Sequence, residues 1–399
     1  MAKKNRLIQG TTKRPGRKTE ETIFWRCNNQ VTKSEEEGSS INTLPFLFSL
    51  SEISHHTDSL DPGIARSLGR AISRHNFRIP RYYLNLIDFD NPVCPIKAQA
   101  IPTIQEMNDS GMEDPLDEKN ISVTPILLRR HPDRCVFLVS SEYAMYCRFC
   151  NRRRFAGKMI DPVPYLEDSF TYIENDPDIR EVILSGGDPL MLDPERLGYI
   201  LQRLRSVKKP LVIRLSTRLP AVYPEGLTAQ HVEALKKASF LWMVIHINHP
   251  REITDLFLAA VQSLHAAGCG IVSQTVLLRN VNDCPHVLLD LFQKLTAHGI
   301  KPYYLFQLDD MQGVSHFKVK LARGRQIMEH LYANASGLAI PRYALDIPGG
   351  LGKIPLDPDH VRPQVGTTTV ELISPEGKIG YYQDNAEESR CMNCGICGK

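Results

Sequence analysis

The chain has 399 residues, 42% of them hydrophobic, enough to bury a sizeable core. Forty-eight Lys and Arg against 45 Asp and Glu leave a net charge of +3, so the balance demands no nucleic acid partner. No apolar run reaches bilayer-spanning length, and the start lacks the apolar stretch of a signal peptide. The expectation is a soluble cytoplasmic protein, without a membrane partner, whose ten cysteines stay largely reduced.

Residues 1–40 are polar, with Lys3, Lys4, Arg6, Lys13, Arg14, Arg17 and Lys18 crowded together. They read as a solvated basic arm, with a phosphate-binding arm as the alternative. Residues 41–116 read as a helical region with Pro-rich connections. From 117 to 355 the pattern changes. Short apolar runs recur at 135–140, 181–185, 211–215, 242–247, 270–277 and 303–308, separated by stretches of helical length. One such stretch, 253–267, places Ile253, Leu256, Ala260 and Leu264 on a common face. Strand and helix repeated about six times imply parallel strands with crossover helices, either an open doubly wound sheet or a partial barrel. A further strand is expected over 339–346, and residues 356–399 form a short tail.

The residues with chemistry to offer fall just after these strands, where such folds keep their sites. Cys147 and Cys150 follow the first run as a C-x2-C pair, suited to iron or zinc or to a redox dithiol. Ser185-Gly186-Gly187-Asp188 follows the second; its glycines let backbone approach a ligand, or simply make a strand-to-helix turn. Asp309 and Asp346 end two later runs and would suit a cationic ligand, with Asp310 as the alternative to Asp309. Lys353 sits on the glycine-rich 348–353 segment, which lacks the spacing of a phosphate-binding P-loop but suits a Schiff-base lysine. Cys391, Cys394 and Cys397 close the chain at x2 spacing, a pattern for zinc or for a second iron–sulfur cluster.

In combination these motifs resemble the lysine 2,3-aminomutase family. The likeness rests on YCRFCNRRRFAG at 146–157, SGGDPL at 185–190, the lysine loop, and the stretches 246–250, 274–279 and 313–317. It runs from about Trp25 to the last cysteines. The resemblance implies a partial (β/α)6 TIM-type radical S-adenosylmethionine (SAM) barrel, with an N-terminal helical region and a short C-terminal metal-binding tail. It also implies a [4Fe–4S] cluster, SAM and pyridoxal 5′-phosphate (PLP). A 5′-deoxyadenosyl radical would move the amino group of L-lysine from C2 to C3. By resemblance, Lys353 carries PLP, and Cys147 and Cys150 hold the cluster. Ser185, Gly186, Gly187, Asp188, His246 and Gln274 meet SAM. Asp309 and Asp346 grip the substrate ammonium, Arg152 its carboxylate, and Arg130 and Arg134 the PLP phosphate. Cys284 joins Cys391, Cys394 and Cys397 around zinc across a homo-oligomer, and a flavodoxin- or ferredoxin-type donor supplies the electron. Two positions depart from the family. Tyr143 stands where the first of three cluster cysteines belongs, and Phe306 stands where relatives often carry tyrosine. The alternative implied by Tyr143 is a radical-inactive relative that binds PLP, SAM or lysine.

Overall fold

The apolar runs become strands of five to eight residues, and those at 134–140, 181–186 and 242–246 carry Val, Ile or Leu and are buried along most of their length. They are β1 (Arg134–Ser140), β2 (Glu181–Gly186), β3 (Val212–Thr217), β4 (Trp242–His246), β5 (Gly270–Leu277), β6 (Lys301–Gln307) and β7 (Arg342–Ile347). Each pairs in parallel with its sequence neighbour. The crossovers are α1 (Leu166–Asn175), α2 (Pro194–Arg205), α3 (Ala229–Lys237), α4 (Asp255–Ala266), α5 (Pro285–Ala297) and α6 (Leu321–Asn334). The computed structural model describes residues 45–49, 69–73, 75–107, 110–363 and 368–384. The basic arm and Cys391, Cys394 and Cys397 lie outside them.

Helix starts are written locally. The Asp193 carboxylate accepts from the Arg196 amide, Thr228 from His231 and Thr254 from Phe257, each satisfying an otherwise unpaired first-turn donor. Pro194 and Pro285 stand at first helical positions, where no amide is needed. In α4 the buried stripe is Phe257, Ala260, Val261 and Leu264. Leu256, expected on the inner face, is 48% exposed. The helix starts at Asp255, after Ile253, so the expected stripe was phased across its cap.

Two antiparallel strands, Leu127–His131 and Ser122–Thr124, extend the sheet beyond β1, and Gly352–Pro355 extends it beyond β7. Arg130 and Lys353 belong to strands near opposite ends of this ten-strand order yet line one cavity. The sheet therefore curves around that cavity, as a partial barrel does. The Gly349 amide also donates to Pro115 O at 2.9 Å, joining the turn before Gly352–Pro355 to the segment that leads into Ser122–Thr124.

The described part of the N-terminal region holds little helix. It holds only a five-residue helical piece at 69–73, Arg81–Leu84, Pro95–Ala100, a 3-10 turn at Ile104–Met107, and a two-strand ladder of Phe46–Leu47 with Ile79–Pro80. Pro80, Pro92, Pro95 and Pro102 interrupt any longer helix by removing amide donors and restricting the residues before them. Leu47, Tyr83 and Ile96 pack into the same apolar cluster as Leu184, Ile245 and Phe292 of the barrel. The tail from 356 contributes a three-stranded antiparallel sheet, Val361–Pro363, Thr369–Ile373 and Ile379–Gln383. No described helix is long and apolar enough to cross a membrane.

Candidate active site

The cavity has a volume of about 840 Å³ and is lined from all seven parallel strands or the loops after them. Its roof is set by two loops pressed together. The Gly187 amide donates to Ser140 O and the Asp188 amide to Glu142 O, both at 2.6 Å. A Cβ on Gly187 would fall 1.9 Å from Glu142 O, and one on Gly186 (φ +118°) 2.4 Å from Ser140 O. Only glycine permits this approach of the β2 loop to the cysteine loop. Gly187→Ala should therefore destabilise the fold by roughly 1–3 kcal/mol or more, read as a lower thermal midpoint. Gly198→Ala, in α2 with only a 3.7 Å contact to Ala234, should be neutral or stabilising.

The cysteine loop is held from below by Glu106. This buried carboxylate accepts from Arg148 at 3.0 and 2.5 Å and from Arg153 at 2.5 Å. Burial pushes the Glu106 carboxyl up, but the two guanidiniums outweigh it and hold it below its ordinary value. Glu118 does the same for the next arginines. It accepts from Arg152 Nε at 2.8 Å and Arg154 at 2.6 Å, while Arg152 also donates to Ser185 Oγ at 3.0 Å. Neither glutamate carries a sequence signal; each is a single acidic residue in a loop with no motif around it.

Asp188, expected on SAM, lines the cavity and also holds the surrounding backbone. Its carboxylate accepts from Thr217 Oγ1 at 2.7 and 2.9 Å and from the Leu190, Arg218 and Leu219 amides at 2.8–3.0 Å. These bonds clamp the end of β2 to the end of β3. Ser185, Gly186, Gly187, His246 and Gln274 line the cavity as expected. His246 Nε2 meets Asn248 Oδ1 at 3.1 Å, and its Nδ1 lies 3.5 Å from Gln274 Nε2. Burial, then the nearby Arg218, depresses its pKa to about 3, so the ring is neutral at any physiological pH.

Cys147, Cys150 and Tyr143 share one stretch of the wall. Arg218 donates to Cys147 Sγ at 2.7 Å and is itself paired with Glu252 at 2.9 Å. Burial pushes the Cys150 thiol up to about 11. Tyr143 is 9% exposed, and its hydroxyl lies 4.0 Å from Met159 Sδ. Cys135 also lines the cavity, but from the opening turn of β1, with its sulfur against Glu181 O at 3.9 Å. Among the described residues no three His, Cys, Asp or Glu are grouped to hold a metal ion. Two thiols and a phenol do not fit a [4Fe–4S] cluster carried on three thiolates. Cys284 is exposed at the start of α5.

The far wall brings the other expected residues together. The glycine-rich segment is the turn of a β-hairpin, made by Gly349 (φ +79°) and Gly350 (φ +75°), and Lys353 lies on its return strand rather than in a loop. The register places Lys353 directly across from Asp346, with Nζ 3.1 Å from Oδ2. Nζ also stands 3.9 Å from the Phe306 ring centroid and 4.7 Å from that of Tyr304. Burial lowers the Lys353 pKa, opposed by Asp346. Asp309 faces the same space and accepts from Asn151 Nδ2 at 3.2 Å. Burial, then the Asp346 charge, raises its pKa to about 6. Asp310, the alternative to Asp309, is not among the cavity-lining residues and pairs with Lys318. Arg130 and Arg134 line the cavity too. Arg130 donates to Leu116 O, while its buried Nε has no partner among the described residues. Arg134 pairs with Asp133 at 2.9 Å. An amine beside aromatic faces, with an unsatisfied buried guanidinium nitrogen in the same cavity, fits PLP.

A family model described as Lysine-2,3-aminomutase matches residues 328–395, and one described as Radical SAM superfamily matches residues 144–292. L-lysine 2,3-aminomutase of Clostridium subterminale is 40% identical over 80% of this chain and 77% of its own length. That of Acetoanaerobium sticklandii is 38% identical over 85% and 82%. Glutamate 2,3-aminomutase of Clostridioides difficile is 36% identical over 78% and 74%. Radical SAM family membership implies SAM and a [4Fe–4S] cluster, and relatives of this kind are isomerases. With these identities over most of its length, the chain belongs to the lysine 2,3-aminomutase family of radical SAM proteins.

Proposed function

We propose that the cavity binds PLP on Lys353 and L-lysine beside it, in the arrangement for a 2,3-amino shift that yields β-lysine. The observation that carries this reading is the meeting of Lys353, Asp346 and Asp309 in one cavity with Arg152. PLP, when bound, supplies a carbonyl that takes up an amine and a ring that spreads charge or an unpaired electron. The chain supplies position. Lys353, with its pKa lowered by burial, offers more neutral amine at neutral pH than an exposed lysine. Tyr304 and Phe306 set a flat apolar face beside it. Arg130 and Arg134 serve the phosphate. Arg152, fixed by Glu118, presents a guanidinium suited to a substrate carboxylate. Asp309 and Asp346 receive the side-chain ammonium.

Lysine is favoured over glutamate because an acidic side chain would bring a third carboxylate to Asp309 and Asp346. Zinc on Cys284 and the terminal cysteines, a homo-oligomer, and a flavodoxin- or ferredoxin-type donor for any radical turnover belong to the same reading by family. Borohydride reduction of the PLP-loaded protein, followed by peptide mapping, tests it. The pyridoxyl group is expected on Lys353, and finding it on another lysine would end the proposal.

A further inference from the structure

The two halves of the cavity are unequal. The amino-acid half has a full set of groups, but the cysteine loop has two thiols at its three expected ligand positions. The third position, Tyr143, holds a side chain of different chemistry and reach. A phenol is a hard oxygen donor where the cluster takes soft sulfur. Its ring is buried edge-on to Tyr146, with centroids 5.5 Å apart, and its hydroxyl lies 4.0 Å from Met159 Sδ. No other described cysteine replaces it. Cys94 and Cys269 are buried outside the cavity wall, Cys284 is exposed on α5, and Cys135 lies at the opening of β1.

The rest of the loop is built as if the third ligand were there. Glu106 still anchors Arg148 and Arg153, Arg218 still donates to Cys147, and Gly186 and Gly187 still close against the loop. We infer that this chain keeps its PLP and amino-acid site but does not hold a three-thiolate cluster, because the Tyr143 ring fills the place of the third ligand. The native chain is then an amino-acid-binding member of the family that does not cleave SAM on its own ligands. The amino-acid half of this statement rests on the proposed function above; the cluster half does not.

The test compares native protein, Tyr143→Phe and Tyr143→Cys after anaerobic reconstitution with iron and sulfide. Iron and sulfide per chain, the EPR spectrum after dithionite, and 5′-deoxyadenosine formed from SAM are measured. Native and Tyr143→Phe should load alike and poorly and form no 5′-deoxyadenosine. Tyr143→Cys should load severalfold more iron, show a reduced-cluster signal and cleave SAM. Tyr143→Phe also separates ligation from packing, since it keeps the ring and removes only the oxygen. A native protein that loads fully and cleaves SAM overturns the inference. So does Tyr143→Phe loading less than native, which would make the phenol a ligand, and so does Tyr143→Cys without gain. Borohydride labelling of Lys353 in the same samples reads the amino-acid half separately. Label on Lys353 in iron-poor native protein supports the division, and its absence removes the PLP reading while leaving the cluster result to stand.

Discussion

Lys353→Ala is expected to abolish covalent retention of PLP: the native protein should keep it through gel filtration and the variant should release it. The loss should be specific rather than a failure to fold. Lys353 and Asp346 form a partly exposed pair, with side chains 29% and 19% exposed. Breaking it should cost well under the roughly 3–5 kcal/mol of a fully buried pair. Asp346 is left facing solvent-accessible space in a hairpin whose backbone ladder persists from Gly352 to Pro355. Thermal unfolding should therefore change by no more than a few degrees, while the PLP absorbance of the isolated protein disappears. Lys353→Arg should also lose it, since a guanidinium stays charged and cannot condense with a carbonyl. Retention of PLP by either variant would move the attachment elsewhere.

The strand–helix alternation was legible because most strands are short apolar runs and the stretches between them are of helical length, three of them opening on a side-chain cap. The 135–140 and 270–277 runs match β1 and β5 to within a residue. The chemistry after the strands was legible too, since Asp309, Asp346, His246 and the glycine pair all sit at strand ends that the fold converges on one cavity. What stayed hidden was set by tertiary contacts. Glu106 and Glu118 gain meaning only from arginines 30 to 50 positions away in the chain. Asp188 could be read only as a cavity residue, because nothing in the sequence shows that Thr217 and two amides from the neighbouring strand end, with the Leu190 amide of its own loop, bond its carboxylate. Lys353 looked like a loop residue because of its glycines, whereas those glycines make a tight turn that returns it across from Asp346. In the N-terminal region, prolines that read as helix connections in fact leave little helix between them.

L-Lysine should bind the PLP-loaded protein at least about 30-fold more tightly than L-glutamate, because leaving a buried charge without its partner costs roughly 2–5 kcal/mol. The preference should depend on pH in a defined direction. Asp309 has its pKa raised to about 6 by burial and by the Asp346 charge. Below that pH it is protonated in the free protein and offers an ammonium no full charge. Lysine affinity should therefore rise with pH, by up to about tenfold per unit below 6, as binding expels one proton, and level off above it. The same shift has the opposite sign for stability. The folded protein holds this proton more tightly than the unfolded chain, so the ligand-free fold loses stability as pH climbs from the ordinary carboxylate range through 6. Lysine should return that stability above pH 6. Asp309→Asn removes the titrating group and should flatten the pH profile, weaken lysine binding and narrow the gap to glutamate. Lysine and glutamate titrations followed by PLP absorbance between pH 5 and 8 decide the matter. Equal affinities, or a lysine profile unchanged by Asp309→Asn, would remove Asp309 from substrate selection.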